Sequence, residues 1–281
     1  MHDGLMSSTQ WERAGNQSEI MRLRIIFGRF LIRMGRFIQS LALMVMRPND
    51  LVEFSRQTYA GEKMVEGFGR QDLAYPILHL DEQTLLDKLP LKKGRLLLLG
   101  VGGGREAIPL VKKGFEVTGV DFVSAMVEKA RENAARHGVQ MEGLVQEISK
   151  IDVPAGAYDV AWLSAAMYSC IPTRKRRMEM LKKINKALIP GGYFICQFRW
   201  ATKDGPAHLW ELVRKVVAFL TLGNLWYEKG DTLPNNIEFI HAFSKEDEVR
   251  SEFAEGGFEV LHLHIAEEIL LGGAVLKKSL S

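Results

Sequence analysis

One stretch of the sequence, residues 95–126, constrains the fold more than any other. It reads RLLLLGVGGGREAIPLVKKGFEVTGVDFVSAM. A short apolar strand is followed by glycines at positions 100, 102, 103 and 104, then by a helix-compatible run, and then by a second apolar strand that stops at Asp121. This strand–loop–helix–strand order is typical of the opening half of a nucleotide-binding sheet.

The glycine loop and Asp121 together predict a site for a ligand that contains a ribose. A backbone without Cβ atoms can turn tightly after the strand and lets a ligand approach its N–H groups. A carboxylate at the end of the next strand can accept hydrogen bonds from two ribose hydroxyls, in the crevice outside the carboxyl ends of the strands.

The glycine spacing distinguishes between two possible ligands, a dinucleotide and S-adenosylmethionine. A dinucleotide fold requires G-x-G-x-x-G, and the third glycine position of that pattern is Arg105 here. The pattern present is G-x-G-x-G, formed by Gly100, Gly102 and Gly104. In this motif the sequence resembles the class I S-adenosylmethionine-dependent methyltransferases, whose first motif is hhhhGxGxG and whose second strand ends in a ribose-binding acid. The alternatives are an NAD(P)-dependent oxidoreductase, which Arg105 disfavours, and a plain turn in an α/β protein.

A second passage carries the same resemblance. A predicted amphipathic helix over 173–188 leads through Ile-Pro-Gly-Gly into a strand over 193–198, and the chain ends in a predicted hairpin. The resemblance covers residues 75–281 and implies an α/β, Rossmann-like, seven-stranded, mostly parallel sheet. Helices should cover both faces, the C-terminal strand should be antiparallel, and residues 1–74 should add an N-terminal helical extension that acts as leader and cap or lid.

The resemblance implies S-adenosyl-L-methionine as cofactor and S-adenosyl-L-homocysteine as product. Glu147 and Ile148 match the acid and the following N–H that take the adenine amino group and a ring nitrogen, although Glu147 also fits a solvated loop. Phe122 offers a flat apolar surface to the adenine. The expected cofactor-binding residues are Gly100, Val101, Gly102, Gly104, Asp121, Phe122, Met126, Glu147, Ile148 and Ser164.

Three residues are candidates for a catalytic role. Tyr168 lies in the loop that leaves the fourth predicted strand, and His241 lies where a substrate-side group can reach the pocket, with a structural role as its alternative. By the resemblance, the segment before the first motif forms a lid, which makes Tyr59 a lid residue; a surface tyrosine is the other interpretation. Residues 199–236 are predicted to form a substrate cover.

The substrate expected from these features is a small, apolar or amphipathic acceptor that is methylated by in-line transfer. Residues 199–236 are rich in apolar side chains, a nucleic-acid groove would need interleaved basic residues there, and the net charge is only +3. Nucleic acid is therefore not expected as a partner. A non-catalytic, methyltransferase-like scaffold remains an alternative, and no oligomeric state is predicted.

The cysteines and histidines lack metal-site spacing, so no metal site is predicted. Cys170 and Cys196 show no C-x-x-C pattern, which indicates reduced thiols and a cytoplasmic protein. The sequence has no apolar run of transmembrane length.

Residues 20–46 predict a long amphipathic helix. Four arginines, Arg22, Arg29, Arg33 and Arg36, fall on one stripe, and apolar residues fill most of the remaining circumference. This pattern is typical of a helix lying in a membrane interface, here at the inner face of a membrane. The alternative is a cap helix that packs on the catalytic domain or a second subunit. Residues 1–18 are polar and aperiodic and are predicted to form a mobile leader.

Overall fold

A computed structural model of the chain describes residues 8–163, 165–201, 208–234 and 237–279. The chain divides into two units, Met1–Ala42 and Leu43–Ser281. Helix α1 (Ser8–Val45) supplies the described part of the first unit and the first residues of the second. No helix among the described residues is long and apolar enough to cross a membrane.

The second unit contains the sheet and its covering helices. The helices are α2 (Pro48–Ala60), α3 (Glu62–Ala74), α4 (Leu80–Asp87), α5 (Ala107–Lys112), α6 (Ser124–Arg136), α7 (Arg174–Ala187), α8 (His208–Leu220) and α9 (Glu246–Glu255). The strands are β1 (Gly94–Leu99), β2 (Phe115–Asp121), β3 (Glu142–Val145), β4 (Tyr158–Leu163), β5 (Leu188–Arg199), β6 (Asp231–Thr232), β7 (Ile240–His241), β8 (Phe258–Ala266) and β9 (Leu271–Lys278).

Seven of these strands form one sheet in the order β3-β2-β1-β4-β5-β9-β8. Strands β1 to β5 are parallel, and β9 is antiparallel to both of its neighbours. This confirms the predicted sheet. Strand order reverses beside β1, since β2 lies on one side of it and β4 on the other. In open α/β sheets the crevice at such a switch point is where ligands bind.

Strand β1 shows why both faces of the sheet are covered. Leu96 and Leu98 are fully buried among side chains of α4, α5 and α6. Leu97 and Leu99 point the other way and are fully buried among side chains of α7 and α9. A continuous apolar run, without polar alternation, is the pattern that a parallel strand buried on both faces requires.

Three elements differ from the sequence prediction. Helix α1 begins at Ser8, so residues 8–18, for which the sequence showed no helical period, are helical; they contain no proline to stop the helix. Helix α3 occupies a stretch that contains Gly67 and Gly69, for which the sequence analysis predicted a lid but no particular helix. Glycine costs a helix only about 1 kcal/mol, and Asn133 of α6 donates to the carbonyl of Gly69 at 2.9 Å. The Pro-Gly-Gly turn lies within β5, where residues 189–192 bulge between the pairs Tyr158–Leu188 and Val160–Tyr193.

Candidate active site

A cavity of about 350 Å³ opens at the carboxyl ends of β1 and β2. Helices α2 and α3 supply Val52, Ser55, Tyr59 and Phe68 to its lining. Eight of the residues predicted to bind the cofactor line this cavity: Gly100, Val101, Gly102, Asp121, Phe122, Met126, Glu147 and Ile148. Ser164 lies outside the described residues, and Gly104 lies beside the cavity lining, in the loop behind it.

Asp121 is held at the end of β2 by backbone donors. Its Oδ1 accepts the N–H of Val123 at 3.0 Å, and its Oδ2 accepts the N–H of Gly102 at 3.1 Å. Burial raises the pKa of Asp121, and these backbone hydrogen bonds oppose that shift. A carboxylate has about four lone-pair sites, so Asp121 keeps acceptor capacity for a diol.

The glycine loop adopts a backbone that favours glycine. Gly100, Gly102 and Gly104 have φ of +82°, +51° and +97°. A side chain on Gly100 would overlap with Met167, which also lines the cavity. A Cβ on Gly104 would lie 3.3 Å from the backbone of Ala130 in α6. Gly104 therefore permits close packing of the loop on α6, and the structure gives it no place in the cavity wall.

The N–H groups of this loop are already used inside the protein. Val120 accepts from the N–H groups of Gly100 and Val101 at 2.8 and 3.0 Å, and the N–H of Gly104 donates to Val101. Asp72 of α3 accepts from the N–H of Gly103 at 2.8 Å. The expectation that a ligand would approach free N–H groups here is therefore corrected. The main contribution of the loop to the cavity is the space that the missing side chains leave, and not hydrogen-bond donors.

Asp72 connects the lid helix α3 to the glycine loop, a role that the sequence analysis did not predict. The residue is 5% exposed, and burial raises its pKa while the Gly103 N–H lowers it. Asn133 strengthens the same junction, because its side chain donates to the carbonyls of Gly69 and Gly103 at 2.9 Å each. These bonds connect α3, the loop and α6 into one cavity wall.

Arg105, which breaks the dinucleotide motif, forms a buried ion-pair cluster at the cavity edge. Its guanidinium donates to both carboxylate oxygens of Glu82 at 2.8 and 2.7 Å and to Glu106 at 2.5 Å. Burial lowers the pKa of Arg105, but the hydrogen bonds and charges of these carboxylates raise it by more, so that the pKa lies above its ordinary value. The cluster fixes α4 against the start of α5.

Glu147 lines the cavity between basic groups. Arg176 donates to it at 2.7 Å, Lys150 lies 2.9 Å away, and the Ser149 hydroxyl also donates. Burial raises the pKa of Glu147, but the hydrogen bonds from Ser149 and Lys150 and the charge of Arg176 together lower it. The side chain is thus an ionised acceptor in the wall rather than a solvated loop acid.

The three catalytic candidates lie in different places in the structure, and they do not all line the cavity. Tyr59 lines the cavity, and its ring lies 5.9 Å from that of Phe68. Tyr168 is fully buried, donates to Glu252 at 2.5 Å and stacks on Phe243, because its ring faces the core side of the loop. His241 is 1% exposed and lies 2.8 Å from Asp231. The structure therefore brings Tyr59 to the cavity and does not bring Tyr168 or His241 there.

His241, Asp231 and Glu228 lie close enough together to hold a metal ion. Internal partners occupy the facing atoms of these groups, however, while Nε2 of His241 is buried without a hydrogen-bond partner. The His241–Asp231 distance of 2.8 Å is that of a hydrogen bond, and Arg177 donates to Glu228 at 2.9 Å. A cation beside a second cation would be repelled, so the cluster is better described as a buried charge network.

The predicted cover contributes little to the cavity. Within the described part of residues 199–236, Arg199 is the residue that lines it. Beyond that segment, Glu238 reaches the lining from the loop before β7. The roof is instead built by α2 and α3, which the sequence had assigned to a lid. Glu238 has no motif around it, so sequence reasoning missed it.

Residues 96–192 match the family model described as "Methyltransferase domain". A ubiquinone biosynthesis O-methyltransferase of Paramagnetospirillum magneticum is 35% identical over 135 residues, which are 48% of this chain and 49% of the relative. An S-adenosyl-L-methionine-dependent Diels-Alderase of Talaromyces variabilis is 32% identical over 120 residues, 40% of this chain and 39% of the relative. The chain spans less than half the length of these two curated relatives.

The fold is also similar to that of solved structures. The crystal structure of a SAM-dependent methyltransferase from Methanosarcina mazei superposes with a TM-score of 0.54 at 23% identity, over 73% of this chain and 99% of that one. At this identity the likeness concerns the fold. Residues 96–192 therefore form a methyltransferase domain, and the fold is that of the class I S-adenosylmethionine-dependent methyltransferases.

Proposed function

We propose that this protein transfers a methyl group from S-adenosylmethionine to a small, apolar or amphipathic acceptor. The observation that carries the proposal is a single cavity lined by the glycine loop and Asp121 and also by the apolar and aromatic side chains of α2 and α3. Its volume, about 350 Å³, is within the range of small-molecule sites. A donor and a small acceptor can meet in such a cavity.

The residues present fit the donor. Asp121 has free acceptor capacity for ribose hydroxyls, Glu147 is an acceptor for the adenine amino group, and Phe122 and Met126 supply apolar surface. Gly100 leaves open the space that a side chain would fill. When bound, the sulfonium supplies an activated methyl group with a good leaving group. The protein's part is to hold the acceptor in line with it and to exclude water.

A binding measurement tests the donor assignment. Calorimetry with S-adenosylhomocysteine should give saturable binding, and calorimetry with NAD should give none, because Arg105 occupies the position of the third dinucleotide glycine. Binding of NAD alone would indicate the oxidoreductase alternative. A protein that binds neither ligand would be a scaffold.

Binding alone does not establish methyl transfer, since one relative is named as a Diels-Alderase. The second measurement is therefore transfer of the labelled methyl group from S-adenosylmethionine into an organic extract of cells, with heat-denatured protein as control. The name of the P. magneticum relative, a ubiquinone biosynthesis O-methyltransferase, supports a lipophilic acceptor. Label confined to the aqueous phase would contradict that acceptor class.

Helix α1 supports action at a membrane surface, on the inner face. Large apolar side chains are exposed along it, among them Leu23 (65%), Ile26 (61%), Phe27 (60%) and Ile38 (59%). Residues 20–46 contain five arginines and no acidic residue. An apolar face with cationic side chains and no anions complements the acyl boundary and head groups of an anionic bilayer.

Liposome sedimentation tests this placement. The full chain should pellet with vesicles that contain an anionic lipid, and a variant lacking residues 1–42 should stay in the supernatant, because each arginine near an anionic surface adds about 1 kcal/mol. The matched control is a chain in which Arg22, Arg29, Arg33 and Arg36 are replaced by glutamine, which keeps the apolar face. Equal partitioning of the full and truncated proteins would favour the cap-helix alternative.

A further inference from the structure

Glu238 forms a polar cluster with Tyr59 and Cys170 in the wall of the cavity. All three residues line the cavity. The Cys170 thiol lies 3.5 Å from Oε2 of Glu238 and donates to it, and the Tyr59 hydroxyl is hydrogen-bonded to the same carboxylate. The cavity lining also includes the apolar side chains of Val52, Phe68 and Met167.

Three separate elements hold the cluster in place. Tyr59 belongs to α2, and Cys170 belongs to the short turn Met167–Cys170 that follows β4. Glu238 is placed by its neighbour Phe239, whose N–H donates to the Ser55 hydroxyl of α2 at 3.4 Å and whose side chain is 1% exposed. The carboxylate is therefore fixed between the lid helix and the loop at the end of β4.

On the basis of the proposed function, we infer that Glu238 is the general base of the reaction and that the acceptor is an un-ionised hydroxyl, as in a phenol or alcohol. The hydroxyl proton moves to the Glu238 carboxylate as the oxygen lone pair attacks the methyl carbon. The carbon–sulfur bond breaks, and its electron pair stays on sulfur. The products are a methyl ether, S-adenosylhomocysteine and a protonated Glu238 that returns its proton to solvent.

The two neighbours of Glu238 suit this assignment because they remain protonated. Burial and the Glu238 charge both raise the pKa of Tyr59, and they raise the pKa of the Cys170 thiol well above its ordinary value. Tyr59 and Cys170 are therefore donors that orient the carboxylate. A protonated thiol is also a poor nucleophile, so Cys170 does not compete for the methyl group.

The same surroundings favour a hydroxyl over an amine. A protonated amine would need to shed its water on entering the apolar wall around Val52 and Phe68, which costs far more than desolvating a neutral hydroxyl.

The test compares Glu238→Gln with Glu238→Asp, using the full chain, labelled S-adenosylmethionine and three ten-carbon probes: 4-butylcatechol, decanol and decylamine. We expect label on a hydroxyl probe. Glu238→Gln should lower kcat by about 10²–10⁴-fold, Glu238→Asp should recover part of that loss, and affinity for S-adenosylhomocysteine should stay within about threefold of the unaltered chain. Glu246→Gln, an exposed acid that pairs with Arg250 on α9, is the matched control.

The outcomes separate this inference from the function on which it rests. Absence of S-adenosylhomocysteine binding in the unaltered chain would overturn the proposed function itself. Normal binding with label on decylamine alone would overturn the hydroxyl assignment. A Glu238→Gln variant that keeps kcat within about threefold would remove Glu238 as the base.

Discussion

Replacing Arg177 with methionine should lower the free energy of unfolding by about 3–5 kcal/mol. Arg177 is fully buried, and its guanidinium makes a two-point contact with the equally buried Glu252, at 2.9 and 2.8 Å. It also donates to Glu228 at 2.9 Å and lies over the ring of Phe243. Methionine fills much of the space but leaves the carboxylate of Glu252 buried without its main counter-charge.

Urea denaturation at neutral pH measures this loss. Arg174→Met is the matched control, because the half-exposed Arg174 pairs mainly with the exposed Glu255, at 2.5 Å, and lies 3.8 Å from Glu252; surface pairs such as Arg174–Glu255 contribute about 1 kcal/mol or less. The double variant Arg177→Met with Glu252→Gln should be less destabilised than Arg177→Met alone, since the uncompensated charge is gone. A loss below about 1 kcal/mol in the single variant would show that the network contributes little to stability.

Arg177 also shows where sequence reasoning fell short. It belongs to the run TRKRR, whose charges predict a basic outer face. Yet it precedes the buried Leu181 and Ile184 by four and seven residues, on the apolar stripe of α7. The periodicity of α7 is therefore that of an inward-facing residue, which the sequence analysis did not recognise. Its partners, 51 and 75 residues further along the chain, were not recognisable from local pattern.

The sheet was predictable for a physical reason. A parallel strand buried on both faces must be a continuous apolar run, and the loop after β1 needs glycine. Both features can therefore be recognised within a short segment such as 95–104. The roof of the cavity was harder. Helix α3 is stabilised by its bonds to α6 and to the glycine loop, and Asp72 meets Gly103 across 31 residues. Contacts between residues so far apart in the chain produce no periodic pattern in the sequence.

The catalytic candidates illustrate the same limit. Loop position alone suggested Tyr168, but a tyrosine in a loop after a strand can face the ligand or the core. Glu252 on α9 and the rings of Phe243 and Phe253 draw Tyr168 into the core. Glu238, which reaches the cavity instead, lies in an aperiodic loop, and its position is set by the bond between Phe239 and Ser55.

Asp121→Ala should weaken binding of S-adenosylhomocysteine by about 1.5–3 kcal/mol, or roughly 10- to 150-fold in Kd. The carboxylate is the acceptor at the end of β2 that faces the cavity, and charge-assisted hydrogen bonds to two ribose hydroxyls would be lost with it. Calorimetry gives the affinity directly. Glu116→Ala is the matched control, because Glu116 is the exposed acid near the other end of the same strand.

The Asp121 variant has a second effect that the experiment must separate from the first. Removing the carboxylate also leaves the N–H groups of Gly102 and Val123 without their acceptor, and this loosens the loop for any ligand. The 2′,3′-dideoxy analogue of S-adenosylhomocysteine distinguishes the two effects, since it lacks the hydroxyls that Asp121 would bind. If the ribose contact dominates, the analogue should bind the unaltered chain and the variant almost equally. An equal loss for both ligands would assign Asp121 to the architecture of the loop, and unchanged affinity for S-adenosylhomocysteine would refute the cofactor placement.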